Sequence, residues 1–413
     1  MWNLRESIKL RKGCLMTEFF AYADLTWPEV EALPRDTPLV IPLGDPPSDL
    51  PGGPRSNSSH LARLADALGR PPSVGLLPAF PFGWNGSGLE VPGPLLGAYL
   101  ANLLDSLRDD GFTRPYVLAP QGVDLNLGPA RISLPGFRPR PALPPERARG
   151  KVILVPVGHT EQHAYHLPLS TDTLIIDAIA QGVAQSVPHQ ATALPAMPYG
   201  VSTHRPAFAG TLNAGGRAFE DFWLAVIDGL VPRGFDRFYL LSGHGGNMSF
   251  LVNVVKYAGE RHRRTFCATA FLYLSGPQGV AALEKHRRSK IGGMGHACEL
   301  ETSLILHLCP ALVHMERAVD ELDFIDTPAY YMDWVEGGAL VANPPWDDDT
   351  VTGAYGAGSL GNAANGRTWL AEAIAEKVSH VAEIHDQFVR REARRAAGYG
   401  EWGRKTRPPG AHR

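Results

Sequence analysis

Side chains that can bind a metal ion are concentrated in three short segments of the chain. They are Glu161, His163, His166 and Asp172 in the first segment, His244 in the second, and His296, Glu299 and Glu301 in the third. A mixture of imidazole and carboxylate groups suits zinc, manganese or iron better than calcium. One or two such ions would lower the pKa of a bound water toward neutrality and polarise a carbonyl group under attack. The three segments therefore predict a metal-dependent hydrolytic site.

Two of these segments accompany apolar runs that predict buried strands. The segment GHTEQHAYHLPLSTDT follows the run at 152–157, and LLSGHGGN follows the run at 238–241. Ligand sites of α/β proteins lie at the carboxyl edge of the parallel sheet, so the polar residues after both strands should meet there. Glu161 and His163 flank a single residue, and an extended backbone would direct both side chains to the same side. The glycines around His244 would let the backbone approach an ion closely.

Short apolar runs alternate with helix-length segments along the chain. The predicted strands are 39–43, 74–77, 116–119, 152–157, 238–241 and 266–272, and the predicted helices are 59–68, 95–109, 173–185, 218–231, 250–261 and 302–308. This alternation predicts the α/β class, with a largely parallel sheet covered by helices on both faces. The unit that carries the chemistry is therefore expected to have three layers, α/β/α.

An internal repeat relates the two halves of the chain. Four pairs of segments match in the same order: IPLG with VPVG, LPAFPFG with LPAMPYG, VPGPL with FAGTL, and GFTRPYVLA with GFDRFYLLS. The repeat predicts that residues 30–125 are a partial copy of residues 150–247. The alternative is that two α/β units share strand and turn patterns without a common origin.

The first copy lacks the metal-capable side chains of the second. The positions that match Glu161, His163, Asp172 and His244 hold Pro47, Asp49, Ser58 and Gln121. No metal site can be built from that set, so the copy is expected to be degenerate and metal-free. It would cover the sheet edge, shape the mouth of the pocket or replace a contact with a neighbouring subunit, and the sequence leaves these three roles open.

Composition divides the chain into five parts. They are an N-terminal extension (1–15, with Met16 as an alternative start), a front unit (16–128), a linker rich in proline and arginine (129–149), a main unit (150–390) and a basic tail (391–413). Single hydrophobic cores usually stop growing at about 250–300 residues. A chain of 413 residues therefore fits two units.

Overall composition is that of a soluble globular protein, with 44% hydrophobic and 20% charged residues. A net charge of −3 gives no long-range attraction to nucleic acid. No apolar run approaches the ~20 residues of a membrane span, and none near the start resembles a signal peptide. Four cysteines without a CxxC pair fit a reducing compartment. We therefore expect a cytoplasmic protein with a small-molecule substrate and without a nucleic-acid or membrane partner.

The motifs taken together resemble the creatininase family. They are VPVGHTEQHAYHLPLSTDT, LPAMPYGVSTHRPAFAGTLN, GFDRFYLLSGHGGN, GHACELETS and VTGAYGAGSLGNAANGR, in the family's order. These motifs span most of residues 151–390. Members of the family hydrolyse creatinine and, in relatives, formamides, cyclic amides and peptide-like bonds. The resemblance implies a creatininase-like fold, one or two divalent metal ions (zinc, manganese or iron) and assembly into a homo-oligomer.

The resemblance also implies a division of roles. Glu161, Asp172 and His244 would hold one ion, while His163 and Asp172 would hold a second, with Asp172 bridging. His296 would lie beside the substrate as a proton donor or acceptor, because imidazole titrates near pH ~6.5.

One family position is not matched. Creatininase itself has a glutamate two residues after the loop histidine, where this chain has Gly246. Glu301 is the candidate replacement, both as a metal ligand and as a catalytic residue, and Glu299 is the next candidate.

Further residues are candidates for the pocket. His204 is expected near the same sheet edge, and the loops 276–293 and 322–346 are expected to set specificity. Three aromatic residues could either wall a pocket for a flat substrate or pack in the core: Trp334, Trp346 and Tyr355.

These observations predict a hydrolase that cleaves a C–N bond of a small cyclic amide or formamide with metal-bound hydroxide. The alternatives are peptide processing or C–C bond hydrolysis on the same site, or a scaffold protein that has lost activity. Bound metal would favour the enzyme over the scaffold.

Overall fold

Two separate, mostly parallel sheets organise the computed structural model of this protein. The structure describes residues 8–9, 17–44, 59–139, 142, 144–203, 207–334 and 338–398. Of the positions that the repeat aligns with the metal-capable residues, only Gln121 lies within these ranges, and Pro47, Asp49 and Ser58 lie outside them. His204 and Met16 also lie outside the described residues.

The first sheet is formed by the front unit. Its strands are β1 (Ile8–Lys9), β2 (Glu18–Ala21), β3 (Leu39–Pro42), β4 (Ser73–Leu76), β5 (Pro115–Ala119) and β6 (Arg131–Ser133), and its helices are α1 (Trp27–Glu31), α2 (Ser59–Ala67) and α3 (Gly93–Asp109). The strand order is β1-β2-β4-β3-β5-β6, and every neighbouring pair except β1–β2 is parallel. Helix α3 has a proline in its first turn, where the fixed φ of proline suits a helix start.

The second sheet is formed by the main unit. Its strands are β7 (Val152–Val157), β8 (Ala191–Ala193), β9 (Arg237–Ser242) and β10 (Phe266–Ala270), and its helices are α4 (Thr171–Ser186), α5 (Gly216–Leu230), α6 (Met248–Arg261), α7 (Pro277–His286), α8 (Glu299–Leu308) and α9 (Ala363–Ala396). The order is β10-β9-β7-β8, with all pairs parallel. Two further strands, β11 (Met294–His296) and β12 (Tyr355–Gly356), pair antiparallel beside it.

Side chains of β7 alternate between two cores on opposite faces of the second sheet. Ile153 and Val155 belong to a core shared with α5 and α6, whereas Val152 and Leu154 face α4, α8 and α9. The predicted α/β class with a largely parallel sheet between helix layers is therefore confirmed. The first of these cores also contains residues of β3 and α3, so it is continuous between the two units.

Two of the expected boundaries differ in the structure. Residues Arg131–Ser133, expected in the linker, form β6 and pair with β5, so the first sheet extends past the boundary expected at residue 128. This strand was not predicted, because it has only three residues and the sequence around it is rich in proline. Helix α9 continues to Ala396, into the expected basic tail, where Glu392 pairs with Arg395.

No helix among the described residues is both long and apolar enough to cross a membrane.

Candidate metal centre

Six buried side chains meet at the carboxyl ends of β7 and β9. They are Glu161 and His163 in the loop after β7, Asp172 in the first turn of α4, His244 after β9, His296 at the end of β11, and Glu301 in the first turn of α8. Each is at most 3% exposed. Because β7 and β9 are hydrogen-bonded neighbours, their loops leave the sheet side by side. The structure thus brings together all the residues that the sequence singled out as metal ligands or catalytic groups.

His244 faces two of the carboxylates. Its Nε2 lies 3.0 Å from the carbonyl oxygen of Val201. A carbonyl only accepts hydrogen bonds, so Nε2 carries the hydrogen and Nδ1 is the nitrogen that can bind a metal. That Nδ1 lies 2.9 Å from Oε1 of Glu161 and 3.3 Å from Oδ2 of Asp172. These three residues form a first group of potential ligands.

His163 is fixed in the opposite tautomer. Its Nδ1 donates to the backbone carbonyl of Glu161 at 3.1 Å, which leaves Nε2 as the potential ligand. Nε2 lies 3.2 Å from Oδ1 of Asp172 and 3.8 Å from Oε1 of Glu301. These residues form a second group, and Asp172 turns one carboxylate oxygen toward each group.

His296 lies beside both groups. Its Nε2 donates to the backbone carbonyl of Gln162 at 2.8 Å, so Nδ1 is the nitrogen turned toward Glu161, 3.9 Å from Oε1. Its ring is 4.2 Å from that of His163 and meets Trp346 edge-on. A neutral imidazole held in this way can accept a proton at Nδ1 and release it again.

Two glutamates of α8 have different roles in the structure. Oε2 of Glu301 accepts the backbone N–H of Ala297 at 2.6 Å, which leaves Oε1 facing His163. Glu299 instead accepts the backbone N–H groups of Arg288 and Ser289 and holds that loop. Only Glu301 therefore belongs to the groups that face the site.

Gly246 occupies a position where no other residue fits the local backbone. A Cβ atom there would lie 2.3 Å from the carbonyl oxygen of Val201 and 2.5 Å from Nε2 of His244. Any side chain would push apart the hydrogen bond that orients His244. The glutamate of creatininase at this position is therefore incompatible with this loop as folded.

The charges of the site fit a divalent cation. Burial by itself lowers the pKa of His163, but Asp172 and Glu301 raise it to about 10. For His244, burial likewise lowers the pKa, and Glu161 and Asp172 raise it to about 9. The carboxylates thus stabilise positive charge at both imidazoles, and a metal ion would supply that charge in place of the protons.

The arrangement of atoms fits a cation as well. In the second group the ligand atoms of His163, Asp172 and Glu301 lie within 4.8 Å of one another, and the same holds for those of Glu161, His163 and His296. Nε2 of His163 and Oδ2 of Asp172 are buried and make no hydrogen bond within the described part of the chain. Buried polar atoms normally have hydrogen-bond partners. Because these two atoms face the same small space, the site suits a bound ion.

Two other histidines, His159 and His166, lie beside the site, and a ring nitrogen of His159 lies within 4.8 Å of ligand atoms of Glu161 and His244. Nδ1 of His159 accepts the N–H of Gly200, so its Nε2 carries hydrogen and faces Glu161 at 3.9 Å. Nε2 of His166 is hydrogen-bonded to Oγ1 of Thr302, and burial followed by the charge of His163 lowers its pKa to about 4. In these positions both can orient the residues beside them, as the outer partners of metal ligands do.

A cavity of about 650 Å³ is lined by five of the six residues, all except His163. Its walls include two of the expected aromatic residues, Trp334 and Trp346, and residues of the loop 322–346, such as Tyr330 and Val341. Phe250 and Phe271 also line it and were not expected from the sequence. Trp334 stacks on Tyr273, whereas Tyr355 lies behind Trp346 and packs on Phe324. The described residues that line the cavity include no lysine or arginine. The cavity is therefore suited to a ligand with a large apolar part.

Comparison with known proteins relates this chain to a protein family. The sequence profile of a family described as creatininase (creatinine amidohydrolase) matches residues 140–381. The chain is 30% identical over 241 residues to a mycofactocin precursor peptide peptidase of Mycobacterium tuberculosis (strain CDC 1551 / Oshkosh), covering 56% of this chain and 84% of that protein. It is 28% identical over 182 residues to a creatinine amidohydrolase of Pseudomonas putida, covering 41% and 68%.

Solved structures share the fold. A mutant creatininase superposes with a TM-score of 0.50 at 23% sequence identity, covering 58% of this chain and 94% of that one.

Proposed function

Because this chain belongs to the creatininase family, we propose that it is a metal-dependent hydrolase that cleaves the C–N bond of an amide. Glu161, Asp172 and His244 would hold one cation, and His163, Asp172 and Glu301 a second. One observation carries the proposal. Each of three imidazoles is fixed by a hydrogen bond to a backbone carbonyl, and its other ring nitrogen faces one or two of three buried carboxylates. Zinc, manganese and iron are the metals that suit these ligands.

A cation bound there would lower the pKa of a coordinated water toward neutrality and polarise the amide carbonyl. Hydrolysis adds water across the C–N bond and yields a carboxylic acid and an amine, whose nitrogen must gain a proton. Nδ1 of His296 would take that proton from the attacking water and pass it to the departing nitrogen. The hydrogen bond from Nε2 to the carbonyl of Gln162 keeps the ring oriented during both steps.

The proposed substrate is a small cyclic amide or formamide, with a peptide-like amide as the second candidate. A cavity of about 650 Å³ with aromatic walls favours the second candidate, since sites of about 300–1,000 Å³ hold drug-sized ligands. The peptide peptidase among the relatives points in the same direction. The full set of six buried groups argues against an inactive scaffold, and C–C bond hydrolysis remains an alternative on the same site.

We propose three further properties of the whole protein from its composition and its family resemblance. The cysteine content favours a cytoplasmic location, the near-balanced charge favours no nucleic-acid partner, and the family resemblance favours a homo-oligomer.

Substrate profiling tests the proposal. Zinc-loaded and manganese-loaded protein would be incubated with creatinine, a formamide and short peptides with apolar residues around the central bond, and products followed by mass spectrometry. We expect hydrolysis in at least one class, slowed about 100-fold or more in His296→Asn. An exposed histidine of α8 supplies the matched control, His307→Asn. A metal-loaded protein that hydrolyses none of these amides would contradict the proposal.

A further inference from the structure

The two units repeat one topology. In the front unit four of the parallel strands follow the order β4-β3-β5-β6, and in the main unit the parallel strands follow β8-β7-β9-β10. The correspondence of β3 with β7 and of β5 with β9 is the one that the sequence repeat predicts. Helices α3 and α5 take the same place in the two units and pack against each other.

The contact between α3 and α5 has the form of a two-fold interface. In such an interface, if residue i of one copy contacts residue j of the other, then j of the first contacts i of the second. The starts of α3 and α5, like the last matched pair of segments, differ by 123 residues, which equates Tyr99 with Phe222, and the second matched pair equates Phe82 with Tyr199. Tyr99 donates a hydrogen bond to the carbonyl of Tyr199, and Phe222 stacks on Phe82. Tyr99 and Phe222 themselves touch at 5.1 Å, as residues near the axis would.

Further hydrogen bonds join α3 to the segment before α5. Oγ of Ser106 accepts the N–H of Asn213, and the side chain of Asn102 donates to the carbonyl of Ala214. The front unit therefore lies against the main unit as a second copy would.

From this position the front unit holds the loop between β7 and α4, which carries Glu161 and His163. The carbonyl oxygens of Ala23 and Leu25 accept the N–H groups of Ser170 and Leu169, both at 2.9 Å. The carbonyl of Leu169 in turn accepts the N–H of Glu161 at 3.1 Å. Two hydrogen bonds thus separate the front unit from a proposed metal ligand.

Trp27 of α1 reinforces this attachment. Its ring packs on Tyr165 and Phe208, at 5.4 and 5.5 Å, and its Nε1 donates to the carbonyl of Thr352 at 2.8 Å. The neighbouring carbonyl, of Gly353, accepts from the side chain of Gln162. Trp27 therefore supports the loop between β7 and α4 in two ways. It contacts Tyr165 of the loop directly, and it contacts the loop indirectly through residues 352–353.

We propose that the front unit replaces a second subunit within one chain, and that Trp27 is a positioning residue for the metal centre. The two-fold contacts are made inside the chain, and the degenerate copy contributes support for the loop rather than a second site. Only the metal-affinity part of the test below rests on the proposed function.

The test compares Trp27→Ala with Tyr116→Ala in the full chain. Tyr116 is a matched control, because it is a half-buried aromatic residue of the front unit that packs on the far side of its sheet, in the core with Leu61 and Leu64. Two quantities would be measured: hydrogen exchange of peptides covering residues 160–172, and the dissociation constant for zinc by competition with a chelator.

We expect Trp27→Ala to raise exchange in residues 160–172 about 10-fold and to weaken zinc binding by about 10-fold, the scale of changes around metal ligands. Trp27→Phe, which keeps a ring, should recover part of both effects, and Tyr116→Ala should leave both unchanged. Equal changes in the two alanine variants, or unchanged exchange in Trp27→Ala, would overturn the inference. A wild-type protein that binds no zinc would refute the proposed function. The comparison of hydrogen exchange would still test the inference about the front unit and Trp27.

Discussion

Asp172 faces both groups of potential ligands. Its Oδ2 lies 3.3 Å from Nδ1 of His244, and its Oδ1 lies 3.2 Å from Nε2 of His163. It sits in the first turn of α4, where the positive end of the helix dipole stabilises a negative charge. A carboxylate in this place could serve two cations, as its proposed bridging role requires.

Glu301 is expected to decide whether the second group holds an ion. Glu301→Gln keeps the size of the side chain but removes the charge that faces His163, so we expect the bound metal to fall from about two equivalents to about one. Glu299→Gln is the matched control, because Glu299 holds the backbone of residues 288–289 instead. Elemental analysis of both variants would check this, and equal metal loss in the two would contradict the assignment of Glu301.

At this scale the sequence predicted which side chains come together but not how they are oriented. Glu161, His163 and His244 could be chosen because metal-capable side chains follow predicted strands at short spacing. Which ring nitrogen faces the site depends on carbonyls such as that of Val201, which are distant in sequence from the histidines they fix. The orienting role of His159 was missed for the same reason, because its partner is the backbone of Gly200.

The loop after β9 contains two adjacent glycines with different surroundings. A Cβ at Gly246 would collide with Val201 and His244, whereas a Cβ at Gly245 would meet no atom within 4 Å. We therefore expect Gly246→Ala to displace His244 and weaken metal binding by about 10-fold to 100-fold. Gly245→Ala should bind metal nearly as the wild type does. Comparing zinc dissociation constants would check this, and equal affinities for the two variants would count against the proposed role of His244.

Most core elements could be predicted from short apolar runs, because parallel strands covered on both faces are apolar throughout. Strand β7 was predicted to its observed limits. Helices α7 and α9 were not predicted, since their exposed faces dilute the apolar pattern, and β8 has only three residues. The loop 322–346 was expected to set specificity, and several of its residues line the cavity, but its shape could not be predicted because irregular loops have no periodicity to read.

The two units share a buried junction that contains ionisable groups. Asp110 of the front unit accepts the N–H of Gly210 in the main unit at 2.8 Å. Burial raises its pKa to about 7, Glu31 and Asp109 add to that rise, and the hydrogen bond and Arg35 oppose it. Burial also raises the pKa of Asp24 to about 6.

These shifts set a sign for the pH dependence of stability. An unfolded aspartate titrates near pH ~3.9, so between about pH 4 and 7 the folded protein binds more protons than the unfolded chain. The free energy of unfolding should therefore fall as pH rises through this window, and the cost of Asp110 should be fully present above it. As pH rises from 4.5 to 7.5, the free energy of unfolding should fall less in Asp110→Asn than in the wild type.

Urea unfolding of both proteins at the two pH values, with a chelator present in all samples, would measure the difference. Asp105→Asn is a suitable control, because Asp105 is an exposed residue of the same helix. Identical pH dependence in the wild type and Asp110→Asn would show that the junction does not titrate as described.

The most direct test of a metal-dependent hydrolase is the metal content of the purified chain, measured by elemental analysis for the wild type beside Asp172→Ala. We predict about two equivalents of zinc, manganese or iron in the wild type. The variant should hold almost none, because it loses the carboxylate that faces both groups. A wild-type protein without metal, and without activity after metal is added, would contradict the account.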